Sequence, residues 1–375
     1  MLRWAEIDLK AIQSNLNAIK NKIGNRKIIA VVKANAYGHG AIPVARAIAE
    51  QADMFAVATV EEAIELREAS ITLPILNLYC ILPDQAEAVL KYKITQTVCK
   101  LSTCEAISAC AKRKGDVAQV HVKVDTGMNR IGVHYSEAAA FLKQVHALPN
   151  LRVEGIFTHF SSADEVDKSY THLQLERFND LWRPGSSEQG TGNNHLEHSD
   201  FLIHAANSAA ILDLPSTYFD AVRPGLILHG VYPSDEVSRS ISLKPALSLK
   251  TRVVHLKSVE RGESISYNRR YTTTTPTQIA TLSMGYADGY RTSLANVGEA
   301  LIRGIRAPVV GTVCMDKIMC DVGHIPDVEI GDEVVLIGKQ GDDEITADEV
   351  AKKAGTISYE IFCGLGRRVE RIYRK

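Results

Sequence analysis

Ile28-Ile29-Ala30-Val31-Val32-Lys33-Ala34-Asn35-Ala36-Tyr37-Gly38-His39-Gly40 is the stretch whose reading decides the fold. An unbroken apolar run rich in β-branched residues predicts a strand buried on both faces, the kind found in parallel sheets covered by helices. An open doubly wound sheet with a dinucleotide site would place G-x-G-x-x-G directly after that strand, and the residues from Lys33 to Gly40 do not supply it. Similar short runs recur at 54–58, 74–78, 94–98, 119–124, 153–158, 201–205 and 218–222, with the first over 28–33. Helical spacing fills 41–51, 60–69 and 102–112 between them. Strands alternating with helices imply parallel connections, and eight such units approach the ~250 residues of a closed (β/α)8 barrel.

The texture changes after Tyr232-Pro233. Short strands are expected at 248–259, 278–283, 307–314 and 333–337, with turns or edges at 272–275, 331–332 and 341–342 and a helix near 347–354. The chain therefore reads as an α/β barrel domain over 1–235 and a mainly β domain over 236–375. The polar, glycine-rich stretch 183–194 reads as a surface loop.

Composition excludes several classes. Among 375 residues, 43 lysines and arginines face 44 acids for a net charge of −1, without the basic excess of a nucleic-acid binder. No apolar run approaches the ~20 residues of a membrane span. Glu6 and Asp8 stand where a signal peptide would be apolar, so a cytoplasmic protein is expected. Seven cysteines without C-x-x-C spacing argue against a disulfide framework or structural zinc. Cys99, Cys104 and Cys110 read as separate core or surface thiols, and Cys314 as a small packed residue. His195, Glu197 and His198 lack an obvious third ligand, and no metal is expected. Glu61, Glu62, Glu65, Arg67 and Glu68 read as a solvated helix face.

In a barrel the reacting groups sit at the C-terminal ends of the strands. Those ends carry Lys33, the stretch 123–130, His159, Asn207-Ser208 and Arg223-Pro224-Gly225. A lysine at the barrel mouth can form a Schiff base when its surroundings lower its proton affinity. Asn207 or Ser208 would cap a helix after strand seven, and Gly225 would let backbone approach an anion after strand eight. A phosphorylated aldehyde would use both features, which points to pyridoxal 5′-phosphate, with Arg223 placed to face its ring nitrogen.

These residues resemble the bacterial alanine racemase family, whose fold-type III enzymes use that cofactor. The resemblance runs almost end to end, through Ala30–Gly40, Lys123-Val124-Asp125-Thr126-Gly127-Met128-Asn129-Arg130-Ile131-Gly132, His204-Ala205-Ala206-Asn207-Ser208 and Arg223-Pro224-Gly225. It continues in Ser266-Tyr267, Gly285-Tyr286-Ala287-Asp288-Gly289-Tyr290-Arg291, Cys314-Met315-Asp316 and Ile357-Ser358-Tyr359-Glu360. The resemblance implies Lys33 as cofactor lysine and one proton-transfer base. Tyr267, contributed by the second subunit of a homodimer, would be the opposing base, oriented by His159. Arg223 would face the pyridine nitrogen, while Tyr37, Ser208, Gly225, Leu226 and Tyr359 would hold the phosphate. Arg130 would contact the cofactor's phenolic oxygen and, with Met315 from the other subunit, the substrate carboxylate. Lys123 would be the lysine that many members carry as a carbamate. Asp164, Arg291, Ile357 and Tyr359 match the substrate corridor.

The implied activity is interconversion of L- and D-alanine, supplying D-alanine for peptidoglycan. Two features depart from the family: Thr312 stands where an arginine is common, and the loop at 183–194 looks longer. They leave open a racemase for serine or a broader amino-acid set. A non-catalytic protein of pyridoxal-phosphate homeostasis is the reading from another class, but such proteins lack the C-terminal β domain. Decarboxylases with a similar barrel carry a glycine-rich phosphate motif that is absent here.

Overall fold

The computed structural model describes residues 1–182 and 201–374, so the 183–194 loop and the histidines at 195 and 198 lie outside the described residues. The chain divides into two compact units, one formed by 13–36 and 41–243, the other by 1–12, 37–40 and the chain from 244 onward. This differs from a single cut at 235/236. The reason is hydrogen bonding: the strand Arg3–Asp8 pairs antiparallel with Leu247–Val259 and parallel with Glu370–Arg374.

The first unit is a closed barrel of eight parallel strands: β1 (Lys27–Val31), β2 (Met54–Val57), β3 (Ile75–Asn77), β4 (Thr95–Val98), β5 (Ala118–Asp125), β6 (Leu151–Phe157), β7 (Leu202–His204) and β8 (Ala221–Val222). Each pairs with the next, and β8 closes on β1 through Ala221 opposite Lys27. Ile28, Ile29, Ala30, Phe55, Val120, Val122 and Ile156 are fully buried, as strands covered on both faces require. Helices Val60–Glu68 and Leu101–Lys114 fall where the periodicity places them, and Thr59 caps the former by accepting from the Glu62 N–H at 3.2 Å. The eighth strand is shorter than expected. Pro215–Thr217 forms a 3-10 turn and Phe219 is left-handed, so only Ala221 and Val222 remain extended.

In the second unit a sheet runs Ile305–Pro308, Glu299–Ile302, Glu333–Gln340, Leu247–Val259, Arg3–Asp8, Glu370–Arg374. Thr277–Leu282 pairs with both Leu247–Val259 and Ile318–Asp321. The strand expected over 307–314 ends at Pro308. Gly311 has φ +79, and a Cβ there would lie 2.7 Å from the Ile265 carbonyl oxygen, so the chain must turn at that point. Helix Ala347–Ala354 is present, and a second helix, Ser358–Cys363, follows it. No helix among the described residues is long and apolar enough to cross a membrane.

Candidate active site

Strand β1 ends in a backbone conformation that L-residues avoid. Ala34, Asn35, Ala36 and Tyr37 are consecutively left-handed, with φ of 51°, 54°, 50° and 52°. Each such residue costs about 1–2 kcal/mol, so the turn must be held from outside. Glu62 holds it: one carboxylate oxygen accepts the Ala34 N–H at 2.6 Å and the other accepts the Ala58 N–H at 2.7 Å. The Asn35 side-chain Oδ1 accepts the Ala41 N–H at 2.8 Å. Glu62 therefore departs from the solvated-face reading; it ties the ends of β1 and β2 together and fixes the turn that carries Lys33. Arg67 departs as well, donating to the carbonyls of Ile71, Leu73, Tyr92 and Lys93. Glu62→Ala should lower unfolding free energy by about 2 kcal/mol, because two hydrogen bonds to a charged acceptor disappear while the strain stays. Chemical denaturation checks this, and a loss under ~0.5 kcal/mol would mean the turn holds itself.

Lys33 is half-buried, with its Nζ 5.6 Å from the centre of the Tyr79 ring. Lys123 Nζ lies 5.9 Å and the Arg130 guanidinium carbon 5.4 Å from the same ring. Three cations thus gather around one aromatic side chain at the ends of β1, β3 and β5. Tyr79 carries no signal in the sequence, being aromatic rather than charged and standing two positions past the end of β3. Its carbonyl accepts from Gln96 at 2.7 Å, and Gln96 in turn accepts from Asn77 at 3.0 Å, so the ring's backbone is fixed from within the barrel.

Lys123 is buried, and desolvation, helped by the charges of Arg130 and Arg223, pulls its amine down to about 7. Below that pH both folded and unfolded chains carry the charge, and the folded chain bears the whole penalty. Between about 7 and the ordinary 10.5, the unfolded chain keeps a proton that the folded chain has released, so stability rises with pH. Lys123→Met should therefore raise stability by about 2–4 kcal/mol near pH 6, with the gain shrinking towards pH 10. Thermal melts of the cofactor-free protein in buffer free of carbon dioxide, which keeps Lys123 a free amine, check the sign at both pH values.

Arg223, at the end of β8, is buried with no carboxylate among its hydrogen-bond partners. Its terminal nitrogens donate to the carbonyls of Thr158 at 2.7 Å, His204 at 2.9 Å and Ala205 at 2.9 Å, and to His204 Nδ1 at 2.7 Å. A longer contact of 3.4 Å reaches His159 Nδ1. Nε takes none of these bonds. Burial lowers the guanidinium to about 9, so it keeps its charge at neutral pH. Burial and the neighbouring cations Arg223, Lys123, Arg130 and Lys33 push His159 well below the usual imidazole range. His204 moves the same way through burial and Arg223, and its Nε2 meets His121 Nδ1 at 2.9 Å. Both imidazoles are therefore neutral, and His204 reads as the residue that orients Arg223.

The loops after β7 and β8 are joined by the Arg223 backbone N–H, which donates to the Ala206 carbonyl at 2.9 Å, and by the Ser208 hydroxyl, which accepts the Gly225 N–H at 3.0 Å. Asn207 caps helix Ser208–Asp213 through the Ala210 N–H at 3.0 Å, and Leu226 opens a buried 3-10 turn, Leu226–His229. The Pro224 carbonyl accepts from Val31 at 2.9 Å, which places this pair of loops beside the end of β1. Asp164 of the same unit accepts from the Ser234 hydroxyl through its carbonyl at 2.6 Å.

In the second unit Tyr37 and Tyr359 pack with ring centres 5.8 Å apart. Arg291 pairs with Glu360 at 2.5 Å. Tyr267, Met315 and Ile357 are 69%, 52% and 60% exposed. Tyr267 opens a turn in which Ser266, Asn268 and Arg269 are all left-handed, and the Thr312 hydroxyl donates to its carbonyl at 2.8 Å. Cys314 Sγ lies 3.4 Å from the Ser266 hydroxyl. No cluster of metal-ligating side chains exists among the described residues.

Residues 7–233 match the family described as alanine racemase, N-terminal domain, and residues 246–373 match its C-terminal domain. The chain belongs to the alanine racemase family. It is 48% identical to the alanine racemase of Halothermothrix orenii over 99% of this chain and 96% of that one. With that of Desulforamulus reducens it shares 49% identity over 99% and 98%. Among solved structures, the alanine racemase of Clostridium difficile 630 superposes with a TM-score of 0.92 at 42% identity, covering 100% of this chain and 96% of that one. A Bacillus anthracis alanine racemase, described with bound L-Ala-P, superposes at 0.90 with 39% identity, covering 100% and 95%. The barrel, the mainly β domain and the enzyme class expected from the sequence stand with that membership, and the family's activity, racemisation of alanine, comes with it.

Proposed function

We propose that the chain interconverts L- and D-alanine by a two-base mechanism on pyridoxal 5′-phosphate, as a cytoplasmic homodimer supplying D-alanine for peptidoglycan. The observation that carries the cofactor is Arg223: a buried cation whose partners are carbonyls and neutral imidazoles, with Nε left to meet one more neutral acceptor. An unprotonated pyridine nitrogen is such an acceptor, and an arginine has no proton to give it at neutral pH. When bound, the cofactor supplies an aldehyde for an imine with an amine and a ring that withdraws electrons from Cα.

Lys33 offers that amine and afterwards takes or returns a proton on one face of Cα. Ser208, the N–H groups at Gly225 and Leu226, and the hydroxyls of Tyr37 and Tyr359 bind phosphate oxygens. Arg130 holds the phenolic oxygen and the substrate carboxylate. Lys123, an amine about half deprotonated near pH 7, is the side chain on which a carbamate would offset the charges of Arg130 and Arg223. Tyr267 and Met315 act in the second subunit's site, which accounts for their exposure in a single chain. His159 orients Tyr267, and Asp164, Arg291, Ile357 and Tyr359 line the substrate's path.

Removing a proton from one face and returning it to the other needs a base on each, and phenols ionise near ~10 in water, so Tyr267 acts only beside cations. Mirror-image substrates have an equilibrium constant of one. Tyr267→Phe should therefore lower kcat/KM equally in both directions, by about 10²-fold or more. Solvent-deuterium exchange at Cα separates the faces: exchange from L-alanine should vanish while exchange from D-alanine partly survives. Equal loss from both enantiomers would remove Tyr267 from this role.

A further inference from the structure

We propose that Cys80 and Cys99 are a peroxide-sensitive dithiol that closes a reversible disulfide across the loops after β3 and β4. By sequence spacing Cys99 is a separate thiol, but parallel pairing brings it beside Cys80. Asn77 and Gln96 are registered partners on β3 and β4, and Cys80 and Cys99 each lie three residues further on. Their sulfurs are 3.1 Å apart, so closing a bond of ~2.04 Å needs an approach of only about 1 Å. Cys80 is exposed and Cys99 partly so, and both line a cavity of about 540 Å³ that admits small oxidants. Cys104 and Cys110 are buried in the next helix and take no part.

The surroundings divide the roles. The two thiols share one hydrogen bond; the Gly132 N–H points at Cys99 and not at Cys80, with Lys100 adding positive charge beside both, so Cys99 is the sulfur that is lowered and Cys80 the one that holds the shared proton. Cys80, as the donor, is pushed up. Cys99 is thus the thiolate and Cys80 the resolving thiol. The Cys99 thiolate attacks one oxygen of hydrogen peroxide; an S–O bond forms, the O–O bond breaks, and hydroxide leaves and takes a proton. Cys80 then loses its proton and attacks the Cys99 sulfur, forming the S–S bond as the S–O bond breaks and a second water leaves. Two thiols are oxidised and one peroxide is reduced to two waters.

Closure withdraws the acceptor from Gly132, at the end of the segment that carries Arg130, and pulls the residue next to Tyr79. Racemase turnover should therefore fall severalfold in the oxidised protein, a consequence that rests on the function proposed above.

The test uses full-length holoenzyme treated with near-stoichiometric hydrogen peroxide, quenched with iodoacetamide and mapped without reduction. The expected result is one intrachain Cys80–Cys99 linkage, a mass loss of two hydrogens, and full reversal by dithiothreitol. Before oxidation Cys99 should alkylate about tenfold or more faster than Cys363, the other exposed thiol. In Cys80→Ser the linkage is absent, Cys99 is trapped by dimedone, and peroxide no longer lowers turnover reversibly. In Cys99→Ser neither linkage nor dimedone adduct forms at position 80. Failure of the wild-type linkage, linkage to Cys363, or Cys99 alkylation no faster than Cys363 overturns the dithiol. A linkage that leaves turnover unchanged overturns the switch, and because the mass readout needs no activity, it does so without touching the racemase reading.

Discussion

On the proposed function, Lys33→Ala should abolish measurable racemisation in both directions and release the cofactor from covalent attachment. Two losses coincide in one side chain. The amine that captures the aldehyde is gone, and so is the base on one face of Cα, a role worth about 10²–10⁴-fold alone. Together they should lower kcat/KM by at least ~10³, equally from L- and D-alanine. The fold should survive. Lys33 is half-buried, its contact is with the face of Tyr79, and the strained turn beyond it is already built on Ala34 and Ala36. The melting temperature should move little, while borohydride trapping followed by peptide mapping should label position 33 in the parent and leave it unlabelled in the variant. Activity within ten per cent of the parent, or labelling of another lysine, would reassign the site. Lys33→Arg separates charge from chemistry: it keeps a cation over Tyr79 yet restores neither capture nor turnover.

The barrel was legible because its strands are buried on both faces and therefore continuous in sequence, as at Ile28–Val32. The eighth strand was overextended because Tyr218 and Phe219 have strand-like composition, whereas their backbone follows Pro215 into a turn and a left-handed residue. What sequence order hid were contacts made across neighbouring strands. Glu62 looked like one acid in a charged helix face, and only the proximity of the β1 and β2 ends makes it the anchor of the Lys33 turn. Tyr79 carries no charge and so gave no signal, although three cations converge on it. His204 lay inside a quoted motif without a role, because its bonds to Arg223 and His121 span 19 and 83 residues. Motifs expose residues that act through local spacing; those that act through sheet register need the register.

Arg223→Glu tests the electrostatic core of the proposed mechanism and should produce two separable effects. The first is structural. Three carbonyls, of Thr158, His204 and Ala205, lose a charged donor, and a carboxylate among them would be buried against oxygen. Leaving such groups unpaired costs about 1–3 kcal/mol each before relaxation, so both stability and turnover fall, the latter by about 10²-fold or more. Burial also raises the new carboxyl's proton affinity, so it stands protonated where Arg223 offers an N–H that it never gives up. The second effect follows from that proton. A residue able to hand a proton to the ring nitrogen would strengthen the electron withdrawal the cofactor supplies; that would favour transfer of the amino group and two electrons to the cofactor, with water supplying the keto oxygen, over return of the proton to Cα. Keto acid formed per racemisation event should therefore rise. Arg223→Gln supplies the control: its amide offers an N–H that it does not give up, so stability and turnover fall while the ratio of keto acid to racemised alanine stays at the parent value. If Arg223→Glu kept the parent ratio as well, Arg223 would not face the ring nitrogen, and the reading of this buried, carboxylate-free cation as the guard of reaction fidelity would fail.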